Sequence, residues 1–371
     1  MTATAASKLD QGRSGQERLD QESVAEEAAH ISVIPTPSCW LCGQTGKQLY
    51  SGLVDWLFGV PGSWGLRACA NCGVAWQDPQ PSPEDIPKLY ARYYTHHAAG
   101  ETALAGFRRA TYQWVMYRMR YRVGTPKGIL PRLVSYAPPV AAAATLEVLD
   151  LASSPVGTLL DVGCGNGDFI ARMQSFGWRV SGVDPDPTAV ARARSLGLEA
   201  FSGAITDVPA TNQYDVITLS HVIEHVPDPV GLLRECRRRL RPGTGILVMT
   251  TPNIKSLGHW WFRGYWRGLE MPRHLILFSP SSLSECVARS GLVVRTVRTE
   301  TRLARMIYAP SACARSGDRE VGGRSTFSPG TRYASYAFQL LEDLLMPFKK
   351  DVGEEIYCVC TAPAETDGND K

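Results

Sequence analysis

The sequence predicts an α/β fold, a largely parallel sheet flanked by helices, with a small cysteine-rich module ahead of it. Three observations carry this. The stretch "GTLLDVGCGNGDFIARMQSFG" reads as a buried strand, a glycine-rich turn and an amphipathic helix. A second strand, "WRVSGVDPDP", follows at crossover distance and ends in an acid, Asp184. Two C-x-x-C pairs, "CWLCG" and "CANCG", precede both.

At 371 residues the chain is long for one domain, so a large domain plus a smaller module is the natural division. An apolar fraction of 44% fills an ordinary core, and a formal charge of +3 is too small to argue for nucleic acid or a membrane. The first thirty residues have no apolar core behind a basic start, and no apolar run approaches the ~18 residues of a membrane span. The expectation is a soluble, cytoplasmic protein with a disordered polar tail over residues 1–34.

Residues 35–95 hold Cys39, Cys42, Cys69 and Cys72. In a reducing compartment, paired C-x-x-C units point to metal before disulfides. Two intervening residues let both thiolates face one ion, and Gly43 and Gly73 permit the tight turn after each pair. Four thiolates with no open position describe structural zinc, so the module reads as a zinc ribbon. The segment 96–150 reads as a helical linker or lid. Leu104, Phe107, Thr111, Trp114, Tyr117 and Tyr121 recur at three- and four-residue steps, and Arg108, Arg109, Arg118, Arg120, Arg122, Lys127 and Arg132 crowd around them. Such a helix can grip anionic lipid or RNA, but a solvated face on a packed helix is the favoured reading.

Within 151–371, Gly163, Gly165 and Gly167 let the backbone turn sharply and approach a ligand that any Cβ would block. Asp184, at the end of the second strand, is positioned to accept from a ribose diol. The spacing is G-x-G-x-G, with Asp168 where a dinucleotide fingerprint has its third glycine, which disfavours an NAD-dependent oxidoreductase. Asp161, ending the first strand, suits a cationic ligand better than a pyrophosphate. S-adenosylmethionine, with its ammonium and sulfonium, meets that description. Here the chain resembles the class I S-adenosylmethionine-dependent methyltransferases, whose later motifs are echoed in "FSGAITDVPATNQYDVITLSHVIEH", in "LLRECRRRLRPGTGILVMTTPN" and in the last strand "EEIYCVC". The resemblance implies a Rossmann-like seven-stranded sheet with an antiparallel edge. It also implies a cofactor bound by Asp161, Gly163, Gly165, Gly167, Asp184 and Leu219.

The string "HVIEH" has the His-x-x-Glu-His spacing of inverted zinc peptidases. It begins at a strand end and stops at Pro227 and Pro229, so the helix that a peptidase site needs cannot form. In the methyltransferase reading this corner faces the transferable methyl. His225 is the favoured general base, His221 and His274 are the other candidates, and Glu224 is an orienting or metal-facing carboxylate. Ubiquinone-pathway O-methyltransferases, which the chain resembles here, have Glu-x-x-Glu-His and can hold magnesium. His221 in place of the first acid argues against magnesium in this chain. Beyond it, "GHWWFRGYWRG" is too broken by glycine for a core helix and reads as a lid.

"TPN", "PRHL" and "FSP" are similar to bacterial methyltransferases of surface-polysaccharide and natural-product pathways, many of which also begin with a cysteine-paired zinc module. The leading expectation is therefore methyl transfer, preferably to oxygen, on a small-molecule, sugar or glycan-linked acceptor. An RNA methyltransferase gripping its substrate with the ribbon and the arginine-rich helix is the alternative. A cofactor-binding partner protein without turnover is the third reading.

Overall fold

The computed structural model describes residues 31–90, 103–119, 121, 125–137, 140–141, 144–145, 147–151, 156–317 and 327–363. The expected tail falls outside these residues up to position 30. Its last part does not: β1 (Val33–Ile34) pairs antiparallel with Gln80–Pro81, so the ordered chain begins earlier than the polarity of the tail suggested.

The N-terminal module contains β2 (Lys47–Leu53), β3 (Trp64–Ala68), β4 (Ala75–Gln77) and β5 (Gln80–Pro81), and ends in a 3-10 turn over Ile86–Tyr90. After it come α1 (Ala103–Arg118) and α2 (Ile129–Val134). The single helical pattern expected across this segment is thus broken. Gly128, at φ 97°, enters α2 from a conformation that no helix interior allows. Val115, Met116 and Tyr121 bury against Leu159, Ile170, Phe176 and Trp178 of the large domain. Three of the basic side chains have partners within the chain. Arg108 meets Glu147 at 2.9 Å, Arg118 donates to the Ser135 carbonyl at 2.7 Å, and Arg132 lies over the Trp114 ring. The helix packs on the large domain while Arg108 keeps a solvated side chain, in line with the favoured reading.

The large domain alternates strand and helix: β6 (Thr158–Val162), α3 (Asp168–Ser175), β7 (Arg179–Asp184), α4 (Pro187–Ser195), β8 (Glu199–Ser202), β9 (Val216–Ser220), α5 (Pro229–Arg239) and β10 (Ile246–Pro252). Then follow α6 (Leu257–Phe262), β11 (Ile276–Leu277), α7 (Pro280–Arg289), β12 (Val293–Glu300), α8 (Ala304–Ser316), α9 (Pro329–Leu345) and β13 (Glu355–Thr361). The seven-stranded sheet runs in the order β12-β13-β10-β9-β6-β7-β8, and β13 is antiparallel to both its neighbours. Strand β6 is central: the chain winds outward through β7 and β8 on one side and through β9 and β10 on the other. The carboxyl ends of β6 and β9 therefore border a topological switch point, where open α/β sheets leave a crevice for a ligand.

Alternation along β6 builds both layers. Leu159 packs on the α1 and α3 side, while Leu160 and Val162 face the opposite core. Cys39, Leu41, Val74 and Trp76 of the module lie in the same core as Leu160, Leu219 and Met249. The module's sheet also takes its fourth strand from the large domain, in the order β11-β4-β3-β2, with Ile276 opposite Trp76.

Candidate active site

The turn after β6 is made by three glycines with positive φ, each for a different reason. A Cβ on Gly163 would stand 2.4 Å from Val222, and one on Gly167 under 3 Å from Leu198 and Ala193. At Gly165, φ 51°, a Cβ would meet nothing within 4 Å, so the backbone there borders open space. The Gly165 amide donates to Asp184 Oδ2 at 2.8 Å, and Asp184 Oδ1 accepts from the Asp186 amide. Burial raises the Asp184 pKa against these two donors. Asp161 is buried, accepts from Thr218 Oγ1 at 2.6 Å, and is pushed up to about 7, chiefly by burial. Two desolvated carboxylates beside an open glycine turn favour a ligand that brings positive charge. Leu219, within β9, is fully buried and its side chain packs in the sheet core.

The corner after β9 gathers the remaining candidates. His221 takes φ 54°, rare for a residue with a Cβ, and its ring spans two buried carboxylates. Nδ1 lies 3.2 Å from Glu224 Oε1 and Nε2 lies 2.9 Å from Glu355 Oε1. Burial opposes its charge, but Glu224 and Glu355 outweigh burial and raise its pKa to about 10. Glu224, fully buried, is drawn down to about 2: desolvation resists, and the imidazolium of His221 prevails. Both ring nitrogens of His221 therefore carry hydrogens at neutral pH. This sets it apart from the other two histidine candidates, as a ring whose charged form is favoured by its two carboxylate partners.

His225 and His274 have the opposite character. His225 Nδ1 lies 3.0 Å from the Arg273 carbonyl and 2.9 Å from Tyr90 Oη. His274 Nδ1 lies 2.8 Å from the Gly268 carbonyl. A carbonyl only accepts, so each Nδ1 bears a hydrogen, and on each ring Nε2 is the nitrogen left to offer a lone pair. Burial, with the neighbouring His225, lowers His274 to about 4 and keeps it neutral. The two rings meet edge to face at 4.7 Å between centroids.

Several residues here carried no signal in the sequence. Arg273 is fully buried and forms a two-pronged ion pair with Asp55 of the module, at 2.7 and 3.0 Å. Its Nε also donates to Glu270, which Arg267 holds from the other side. The Leu275 amide donates to the Glu224 carbonyl, and the Gln77 amide donates to the Leu275 carbonyl. Residues 270–277 thus form a strap clamped between the corner and the module. Only the adjacency of "PRHL" to His274 hinted at it; Asp55, Tyr90 and Glu355 belong to no local pattern.

The aromatic run expected as a lid divides in two. Phe262 and Trp266 are fully buried against Trp64 and Leu66 of the module, and Trp266 Nε1 donates to Glu354. Trp260, Trp261 and Tyr265 are exposed.

The four cysteine sulfurs lie within 4.8 Å of one another. Gly43 and Gly73, both at φ 75°, place their amides on the carbonyls of Cys39 and Cys69, giving two matching knuckles. Four thiols at this spacing fit a tetrahedral zinc ion. Among the described residues, no helix is long and apolar enough to cross a membrane.

With this geometry in hand, comparison with known proteins is informative. A family model described as a methyltransferase domain matches residues 133–297. The ubiquinone biosynthesis O-methyltransferase of Xanthomonas oryzae pv. oryzae (strain PXO99A) is 39% identical over 113 residues, 28% of this chain and 46% of that one. The protein of the same name from Marinobacter nauticus is 33% identical over 158 residues, 37% of this chain and 63% of its own. The chain spans about half the length of the first of these relatives. Among solved structures, a possible histamine N-methyltransferase from Thermotoga maritima is similar at a TM-score of 0.39 and 18% identity, over 59% of this chain and 89% of its own.

Proposed function

We propose that this chain, which carries a class I S-adenosylmethionine-dependent methyltransferase domain, moves the cofactor's methyl group to an oxygen of a small-molecule or glycan-linked acceptor. The observation that carries the reading is the ring of His225, tethered through Nδ1 at the switch point, one strand away from the glycine turn and its two buried acids. When bound, S-adenosylmethionine supplies an electrophilic methyl on a sulfonium. Asp161 favours its positive charge, Asp184 is placed to accept from its ribose diol, and Gly165 lets it lie against the backbone. Methyl transfer needs an oxygen nucleophile held in line and relieved of its proton. Nε2 of His225 takes that proton, while the Arg273 carbonyl on Nδ1 fixes the tautomer and stabilises the imidazolium that forms. His274 packs against the same ring as a neutral neighbour, and the His221 cation holds Glu224 and Glu355 in place.

The four cysteines would hold zinc as a structural ion, consistent with a reducing, cytoplasmic setting. The names of the ubiquinone-pathway relatives support a small hydroxylated acceptor. The arginines of α1 and α2 already have partners within the chain, so RNA recognition is not favoured.

The test is methyl-labelled S-adenosylmethionine with the purified protein and an extract of its source, separated into RNA, protein, lipid, glycan and small-molecule fractions. The reading expects label in the small-molecule or glycan fraction, reduced about 10²–10⁴-fold by His225→Gln. Label in RNA would overturn it.

A further inference from the structure

Glu224, His225 and His274 come from two segments and converge: a carboxylate oxygen and one ring nitrogen from each histidine lie within 4.8 Å of one another. We propose that these three residues form a binding site for a divalent transition-metal ion, and that filling it blocks methyl transfer by occupying the lone pair of His225. The inference rests on the reading of His225 as the base.

Four features support it. First, both histidines present Nδ1–H to a backbone carbonyl, Arg273 for one and Gly268 for the other, which leaves Nε2 as the donor on each ring. Metal-binding histidines are held in this way, with the second nitrogen fixed by a hydrogen bond that sets tautomer and ring orientation. Second, Glu224 is immobile, with Oε1 against His221 and Oε2 accepting from Thr251 Oγ1 at 3.0 Å, yet each carboxylate oxygen has a further lone pair to offer. Third, bonds of about 2.0–2.2 Å to a shared ion hold ligand atoms no more than about 4.4 Å apart, so a contraction of under about 1 Å completes the set. Fourth, carboxylates outnumber cations around the site: Glu224, Glu355, Glu270 and Asp55 face His221, Arg267 and Arg273, and Glu270 Oε2 lies 3.8 Å from His274 Nε2.

The donor set decides the metal. Two imidazole nitrogens and one carboxylate suit zinc, cobalt or nickel, whereas magnesium demands an octahedron of oxygens. With His221 standing as a cation where the ubiquinone-pathway motif has an acid, magnesium does not fit this corner. No proton or electron moves on binding: a neutral ring donates its lone pair to the ion, and while it does so it cannot receive the acceptor's proton.

The experiment titrates CoCl2 into protein whose four-cysteine site is already filled with zinc. The expected result is one further cobalt per chain, with visible d–d absorption and no thiolate charge-transfer band. Affinity should fall at least tenfold in Glu224→Gln and in His225→Gln, the latter altering a ring that is only partly buried. Cobalt should also inhibit transfer of the labelled methyl with the midpoint seen by absorption. If no further cobalt binds, the inference fails and the methyltransferase reading stands. If cobalt binds while transfer is undiminished or rises, the block is overturned and His225 is not the base.

Discussion

At the scale of single residues, Gly165 and Gly167 look alike in the sequence and differ in space. Both need a left-handed backbone, which costs an alanine about 1–2 kcal/mol. Gly167→Ala adds a clash with Leu198 and Ala193, so it should lose about 2–4 kcal/mol by chemical denaturation. Gly165→Ala should lose only the smaller amount, yet weaken S-adenosylmethionine binding at least tenfold by calorimetry, because its new methyl enters the open space beside the turn. Similar calorimetric affinities for the two variants would contradict this assignment. His221 offers a second test. Its pKa is raised from 6.5 to about 10, so its stabilising effect is complete below pH 6.5 and is lost as pH climbs through about 10. Glu224, drawn down from 4.5 to about 2, contributes above pH 4.5 and loses its share as pH falls through about 2. The difference in melting temperature between the natural protein and His221→Gln should therefore be widest between these limits and shrink toward pH 10. The glycine turn and the paired cysteines were legible because each motif is local, its spacing set by a single turn. His221 was not legible as a cation, because its charge depends on Glu355, which the last strand brings to it.

At the scale of elements, α9 carries a buried carboxylate that its amphipathic pattern gave no reason to expect. Glu342 is fully buried, and burial together with the neighbouring carboxylate of Glu354 raises its pKa strongly. Glu354 in turn accepts from the Gly258 amide and the Trp266 indole, and is itself raised to about 7, mainly by burial. An acid with a raised folded pKa loses stability as pH rises above its unfolded value, near 4.5. Glu342→Gln should consequently be more stable than the natural protein at neutral pH, with the gain growing from pH 5 to pH 8 in urea titrations. A gain that stays flat across that range would mean that the pair does not share a proton. Strands β6 and β7 were readable as local patterns, whereas the count of seven and the antiparallel edge came from the family resemblance and the strand order was not read at all. The two-residue β11 was not readable, because a strand that short has no period and its partner is β4, in the module.

At the scale of the whole molecule, the cysteine module and the seven-stranded sheet are interdependent. Strand pairing between β4 and β11, the Asp55–Arg273 ion pair and the Tyr90–His225 contact all cross between them. Breaking a buried ion pair of this kind costs about 3–5 kcal/mol, so Asp55→Ala should destabilise the large domain as well as the module. Likewise, Cys69→Ser, which removes one thiolate of the proposed zinc site, should lower the melting temperature of a single cooperative transition, read by calorimetry. Two separate transitions, with the upper one unmoved, would show that the halves fold independently. The sequence marked the module as a unit because its cysteines are close together, but it could not reveal that Arg273 and His225 depend on it.

The arrangement also bears on how the protein is made. The module leaves the ribosome first, yet its sheet lacks a strand until Ile276 and Leu277 have been translated, and His221 lacks its second carboxylate until Glu355 has followed. Chains abandoned before that point should expose the apolar faces of Trp64, Leu66 and Trp76 and be cleared by proteases, so a prematurely terminated message would yield neither a free cysteine module nor a partly assembled large domain.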